Sequence, residues 1–171
     1  MNILTLFKDM GFKIPWKLVS IGLYGHDEIP VSLTYDDVFE YLYSLLNYVD
    51  EHTNDAVALF CQKDDLLKFD ILLKELAHKD GSDVSIQKRK WIVALLKKTL
   101  DNISSDCLQG MLELMDFWIT MLDTPDYCPQ AFPTNYADVQ AYFTETSYHY
   151  VLDKNVEWLN NETLKILKLE N

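Results

Sequence analysis

Apolar residues recur along the chain three and four positions apart, and the strict alternation of a half-buried strand is scarce. The pattern predicts an all-α protein of seven or eight helices. The first runs from Asn2 to Met10 and stops at Gly11. A second, Trp16 to Tyr24, follows Pro15, whose fixed φ suits a first helical turn. Gly22 and Gly25 weaken that helix and mark its end. His26 to Ser32 reads as a loop. Ser32 or Thr34 can then cap the next helix by accepting a hydrogen bond from a free backbone N–H.

Tyr35 to Glu51 is the clearest helix. Val38, Phe39, Tyr41, Leu42, Leu45 and Leu46 fall within one apolar arc of roughly 180°. Asp36, Asp37, Glu40, Ser44, Asn47 and Glu51 collect on the opposite face. A short helix from Asn54 to Gln62 follows, then one from Asp64 to His78. In the latter, Asp64–Lys68 and Asp70–Lys74 stand four apart with the acid first, the favourable order. Leu67 and Ile71 fall on its polar side, as an exposed patch or as contacts beneath a neighbouring element.

Ser82 or Asp83 is placed to cap a helix reaching about Asn102, which carries Lys88, Arg89, Lys90 and Trp91. Ser104 or Ser105 caps the next, ending at Leu122. Its apolar arc is so wide that a central position is expected. Pro125, Pro129 and Pro133 then fall within residues 123–134, where fixed φ values and restricted preceding residues predict a stiff, extended, proline-rich loop. Asn135 to about Tyr150 resumes as a helix or irregular helical segment, and Asp153 to Leu169 closes the chain as one helix or two around Trp158. With no repeat, linker or shift in composition, residues 1–171 read as a single all-helical domain.

Charge narrows the function classes. The 171 residues include 27 acids and 15 bases, for a net charge of -12 and a pI near 4.6. Such a surface repels phosphate backbones and anionic membranes, so neither nucleic acid nor membrane is an expected partner. No stretch approaches the ~20 apolar residues of a membrane span. Three widely spaced cysteines, Cys61, Cys107 and Cys128, do not form a secreted disulfide framework. The first residues lack a signal-peptide pattern, so a cytoplasmic protein is expected.

Chemical motifs are sparse. None of His26, His52, His78 and His149 has a second histidine or a cysteine three or four positions away, so no metal is expected. His26-Asp27-Glu28 reads as a solvated turn. Five scattered glycines make no phosphate-cradling loop, and no cofactor is expected. Cys128, with His149 or Asp126, is the material for an enzyme with a cleft near the proline loop, or Cys128 is an inert thiol. Lys88 to Lys90 can grip phosphate or neutralise neighbouring acids.

The remaining candidate is the Tyr35–Glu51 helix. Asp36, Asp37, Glu40, Asn47 and Glu51, bordered by Tyr41, Tyr43 and Tyr48, combine long-range steering with aromatic anchoring area. That combination suits a basic protein partner. The same residues also fit a solvated face with snorkelling tyrosines.

Three stretches carry a resemblance: Ile14-Pro-Trp-Lys-Leu-Val-Ser-Ile-Gly22 with Ser32 and the tyrosine-rich helix, Lys88-Arg-Lys-Trp-Ile-Val-Ala-Leu-Leu-Lys97, and Asp106 to Leu122 followed by Asp126-Tyr-Cys-Pro129. Together they resemble a bacterial family known as a domain of unknown function, DUF2247. The family has no settled activity, so the resemblance carries over no catalytic residue. Small acidic helical proteins of this kind resemble immunity proteins, which neutralise a toxin by covering or distorting its basic surface. The resemblance therefore implies a non-enzymatic protein-binding role, with a basic toxin such as a nuclease as partner. An enzyme using Cys128 and His149, or a self-associating scaffold, are the rival readings.

Overall fold

A computed structural model describes residues 2–46, 53–122, 128–129 and 142–170. Among them the architecture is all-α, with eight helices and no strand. They are α1 (Ile3–Asp9), α2 (Trp16–Tyr24), α3 (Tyr35–Leu45), α4 (Thr53–Phe60), α5 (Leu66–Lys79), α6 (Val84–Asp101), α7 (Cys107–Leu122) and α8 (Glu145–Glu170). The helices gather into two compact units, one of residues 1–91 with Glu170 and one of residues 92–169. Apart from Cys128 and Pro129, the expected proline-rich loop lies outside the described residues.

In the first unit, short side chains set the helix ends. Asn2 caps α1 by accepting from the Leu4 N–H at 2.9 Å. Pro15 precedes α2 and offers no side-chain cap. Instead the Asp80 carboxylate, just beyond α5, accepts from the Lys17 N–H at 2.7 Å. One of the unpartnered amides of the first turn is thus satisfied by another helix. Gly25, at φ 76°, ends α2 in a conformation that side chains resist. Thr34, not Ser32, caps α3. Asp65 begins α5 by accepting from the Lys68 N–H.

That last contact changes an expected ion pair. The cap places Asp65 beside Lys68, which pairs with it at 2.8 Å rather than with Asp64. Asp70 likewise does not pair with Lys74. Its carboxylate accepts from the hydroxyls of Tyr24 at 2.6 Å and Tyr35 at 2.9 Å. Lys74 lies over the Tyr24 ring instead, 4.7 Å from its centre. Burial and the Asp70 contact hold the Tyr24 hydroxyl well above the ordinary tyrosine pKa.

The interior of this unit centres on Phe7, Phe69 and Trp91, all fully buried. Phe7 meets Trp91 edge-on at 4.9 Å, and the Trp91 indole donates to the Leu18 carbonyl at 2.9 Å. Gly22 makes that seat possible, because a Cβ there would fall 2.1 Å from the indole ring. Its place in the helix is therefore one of close approach and not of termination. Lys90 is buried completely. Its ammonium donates to the Lys13 carbonyl at 2.8 Å and to Gln87 Oε1 at 2.9 Å, and pairs with Glu170. Three donors thus meet three acceptors.

In the second unit Asp106, not Ser104 or Ser105, caps α7 by accepting from the Gln109 N–H at 2.9 Å. Its carboxylate stands directly before the helix, whereas the Ser104 hydroxyl is occupied with the Asp106 N–H. The expected central position of α7 is realised on one side only. Met111, Leu114 and Trp118 are fully buried, while Leu108, Leu112 and Ile119 remain about half exposed. Trp118 meets Trp158 edge-on at 5.0 Å, and its indole donates to the buried Asn155 amide oxygen at 2.7 Å.

α8 is longer than the pattern predicts. It passes without a break through residues 150–153, where two segments were expected. No proline or glycine interrupts residues 145–170, and Thr144 starts the helix by accepting from the Ser147 N–H. Tyr148 lies over Gly110 and donates to the Ser104 carbonyl at 2.6 Å.

Candidate functional site

The acidic helix face is built by the local chemistry of α3. Thr34 Oγ1 accepts from the Asp37 N–H at 3.2 Å, and Asp37 Oδ2 accepts from the Thr34 N–H at 2.8 Å. This reciprocal pair satisfies two amides of the first turn and fixes where the helix begins. It also gives Asp37 a structural task. Asp36 and Asp37 both stand in the first turn, where the helix dipole favours negative charge.

From that start, Asp36, Glu40 and Tyr43 follow at intervals of four and three and so share one face. All three are exposed, Tyr43 by 63%. Glu40 accepts one hydrogen bond from the Asn2 amide at 3.1 Å. Among the described residues, no lysine or arginine forms an ion pair with Asp36, Asp37 or Glu40. The Tyr43 ring lies 6.4 Å from that of Phe60 on α4. Val57, one turn earlier on α4, is also exposed. Two carboxylates therefore share a helix face with an exposed aromatic ledge.

Tyr41 does not belong to this ledge. It is only 7% exposed and packs on the interior side with Val38, Leu42 and Leu45, beneath the Lys8 ammonium at 4.9 Å. A ring already buried has no further area to offer a partner. Asn47, Tyr48 and Glu51 lie outside the described residues.

Of the other sequence candidates, the charged residues near the start of α6 and in the loop after α2 take structural roles. Lys88 pairs with Asp27 at 3.1 Å and Glu28 at 2.9 Å, and its hydrogen bond holds the Asp27 carboxyl below its ordinary range. Lys88 is therefore spent on the chain's own acids, and Lys90 on Glu170. His26 turns to Asp27 at 3.1 Å, and no metal-holding group of His, Cys, Asp or Glu exists among the described residues. Cys128 is half-buried and His149 exposed on α8. Leu67 and Ile71 stay 72% and 53% exposed on α5.

The sequence pattern does not single out Lys90 as buried. Its signal is faint: Gln87, Lys90, Trp91 and Ala94 lie on one side of α6, and all are buried. Burial pushes the ammonium pKa down, against the opposing pull of Glu170.

Among the described residues, helices capped by short polar side chains define an all-α protein. The chain belongs to the family described as Uncharacterized protein conserved in bacteria (DUF2247), whose model matches residues 4–163. No curated protein and no solved structure matches it. No helix among the described residues is long and apolar enough to cross a membrane.

Proposed function

We propose that this chain is a protein-binding module that captures a basic partner through the outer face of α3. The observation that carries the reading is the grouping of Asp36, Glu40 and Tyr43 on one exposed helix face, with neither carboxylate ion-paired to a described residue. Carboxylates left unneutralised project a field that speeds encounter with a cationic surface. Tyr43, with Phe60 beside it, supplies area to desolvate once contact is made. The role is one of binding and not of catalysis. An immunity-type inhibitor covering the basic face of a toxin such as a nuclease is the form this function takes. Its setting is the cytoplasm, where Cys61, Cys107 and Cys128 remain as thiols.

The test is kinetic. A partner recovered by affinity capture on the wild-type chain is assayed for association rate from low to high salt. The rate should fall steeply with salt. The double variant D36K/E40K should associate roughly ten- to a hundredfold more slowly at low salt. Y43A should act mainly on dissociation. A salt-insensitive association rate, unchanged in D36K/E40K, would refute the mechanism.

A further inference from the structure

On the interior side of α3, the first unit contains a cavity of about 420 Å³. It is lined by Phe12, Ile14, Pro15 and Leu45 and by the charged side chains of Lys8, Lys13 and Glu170.

At one side of the cavity lies a carboxylate cradle. Glu170 Oε1 pairs with the fully buried Lys90 ammonium, and Glu170 Oε2 accepts from the Lys13 N–H at 3.2 Å. The Lys13 ammonium donates to the Glu170 main-chain carbonyl at 2.6 Å. Both oxygens of one carboxylate are thus held, one by a desolvated cation and one by a backbone amide. Such charge-assisted contacts are strong and select for a carboxylate. The resident carboxylate comes from the last turn of α8, and apolar residues line the same cavity.

We infer that this cavity is a binding site for a small apolar monocarboxylate, whose carboxylate replaces that of Glu170 on Lys90 and Lys13 while its hydrocarbon body lies against Phe12, Ile14, Pro15 and Leu45. Glu170 is then a competitor tethered to the site, acting at a millimolar-range effective concentration. The site is distinct from the outer face of α3, and its failure leaves the protein-binding reading standing.

Isothermal titration of the full chain with octanoate, against 1-octanol of the same chain length, tests the assignment. Octanoate should bind saturably with one-to-one stoichiometry, and 1-octanol should not. E170Q removes the tethered charge but keeps an oxygen acceptor, and should tighten octanoate binding roughly tenfold. K8Q alters an exposed side chain that the fold tolerates, and should loosen binding severalfold. Absence of saturable octanoate binding by both wild type and E170Q overturns the proposal. So does equal binding of octanoate and 1-octanol, or an affinity unmoved by both E170Q and K8Q.

Discussion

Among the described residues, each unit hides one polar side chain completely, and the two satisfy it in different ways. In the first, Lys90 carries a full charge inward and meets two neutral oxygens and the carboxylate of Glu170. In the second, Asn155 is neutral, and its two ends are matched by the Trp118 indole and the Val151 carbonyl. An amide inserted between two helices needs only well-placed neutral partners. A buried ammonium also needs an opposite charge, because desolvating an ion costs far more than desolvating an amide. The first unit draws that charge from the end of α8, eighty positions along the chain from Lys90. Both units otherwise use the same packing device. Trp91 lies over Gly22 and Tyr148 over Gly110, each donating its polar tip to a backbone carbonyl.

The contrast is sharpest when the counter-charge is removed. E170A strands the Lys90 ammonium and should cost about 3 kcal/mol in denaturant unfolding, since breaking a buried pair from one side is strongly destabilising. K90M should cost far less, about 1 kcal/mol, because Glu170 can turn to water and the apolar chain fills the space. Equal losses in the two variants would mean that packing, and not charge, governs the contact.

A smaller loss is expected in the second unit. N155L leaves the Trp118 indole N–H buried without an acceptor, at a cost of about 2 kcal/mol. W118F/N155L removes both partners and should recover part of that loss. If the double variant is no more stable than N155L, the neutral pair is not what holds this interior together.

The smallest effect belongs to the α3 cap. T34A breaks the reciprocal Thr34–Asp37 contact and should cost about 1 kcal/mol. Circular dichroism and unfolding midpoints should show a native helical content with a lowered midpoint.

Much of this architecture can be read from the chain. Thr34 before Tyr35-Asp-Asp37, the apolar spacing of α3 and α7, and Gly25 and Gly81 at helix ends are local signals, acting over one or two turns. The candidate face is legible in part, since Asn47, Tyr48 and Glu51 lie outside the described residues. Asp36, Glu40 and Tyr43 are exposed where helical spacing places them, while Tyr41 is buried by the apolar arc to which it also belongs.

What local patterns could not decide is which of several equivalent groups a distant element selects. Nothing in Lys88-Arg-Lys90 distinguishes the lysine that pairs with the Asp27–Glu28 turn from the one buried against Glu170. Asp70 has Lys74 at ideal helical spacing, yet Tyr24 and Tyr35 arrive from α2 and α3 and take its carboxylate. Helix capping and periodicity depend on neighbours within a few residues, and the chain carries those neighbours with it. Burial of a charge, the seat of an indole on a glycine and the walls of a cavity depend on residues that meet only after the helices pack. The folded structure alone assigns those partners.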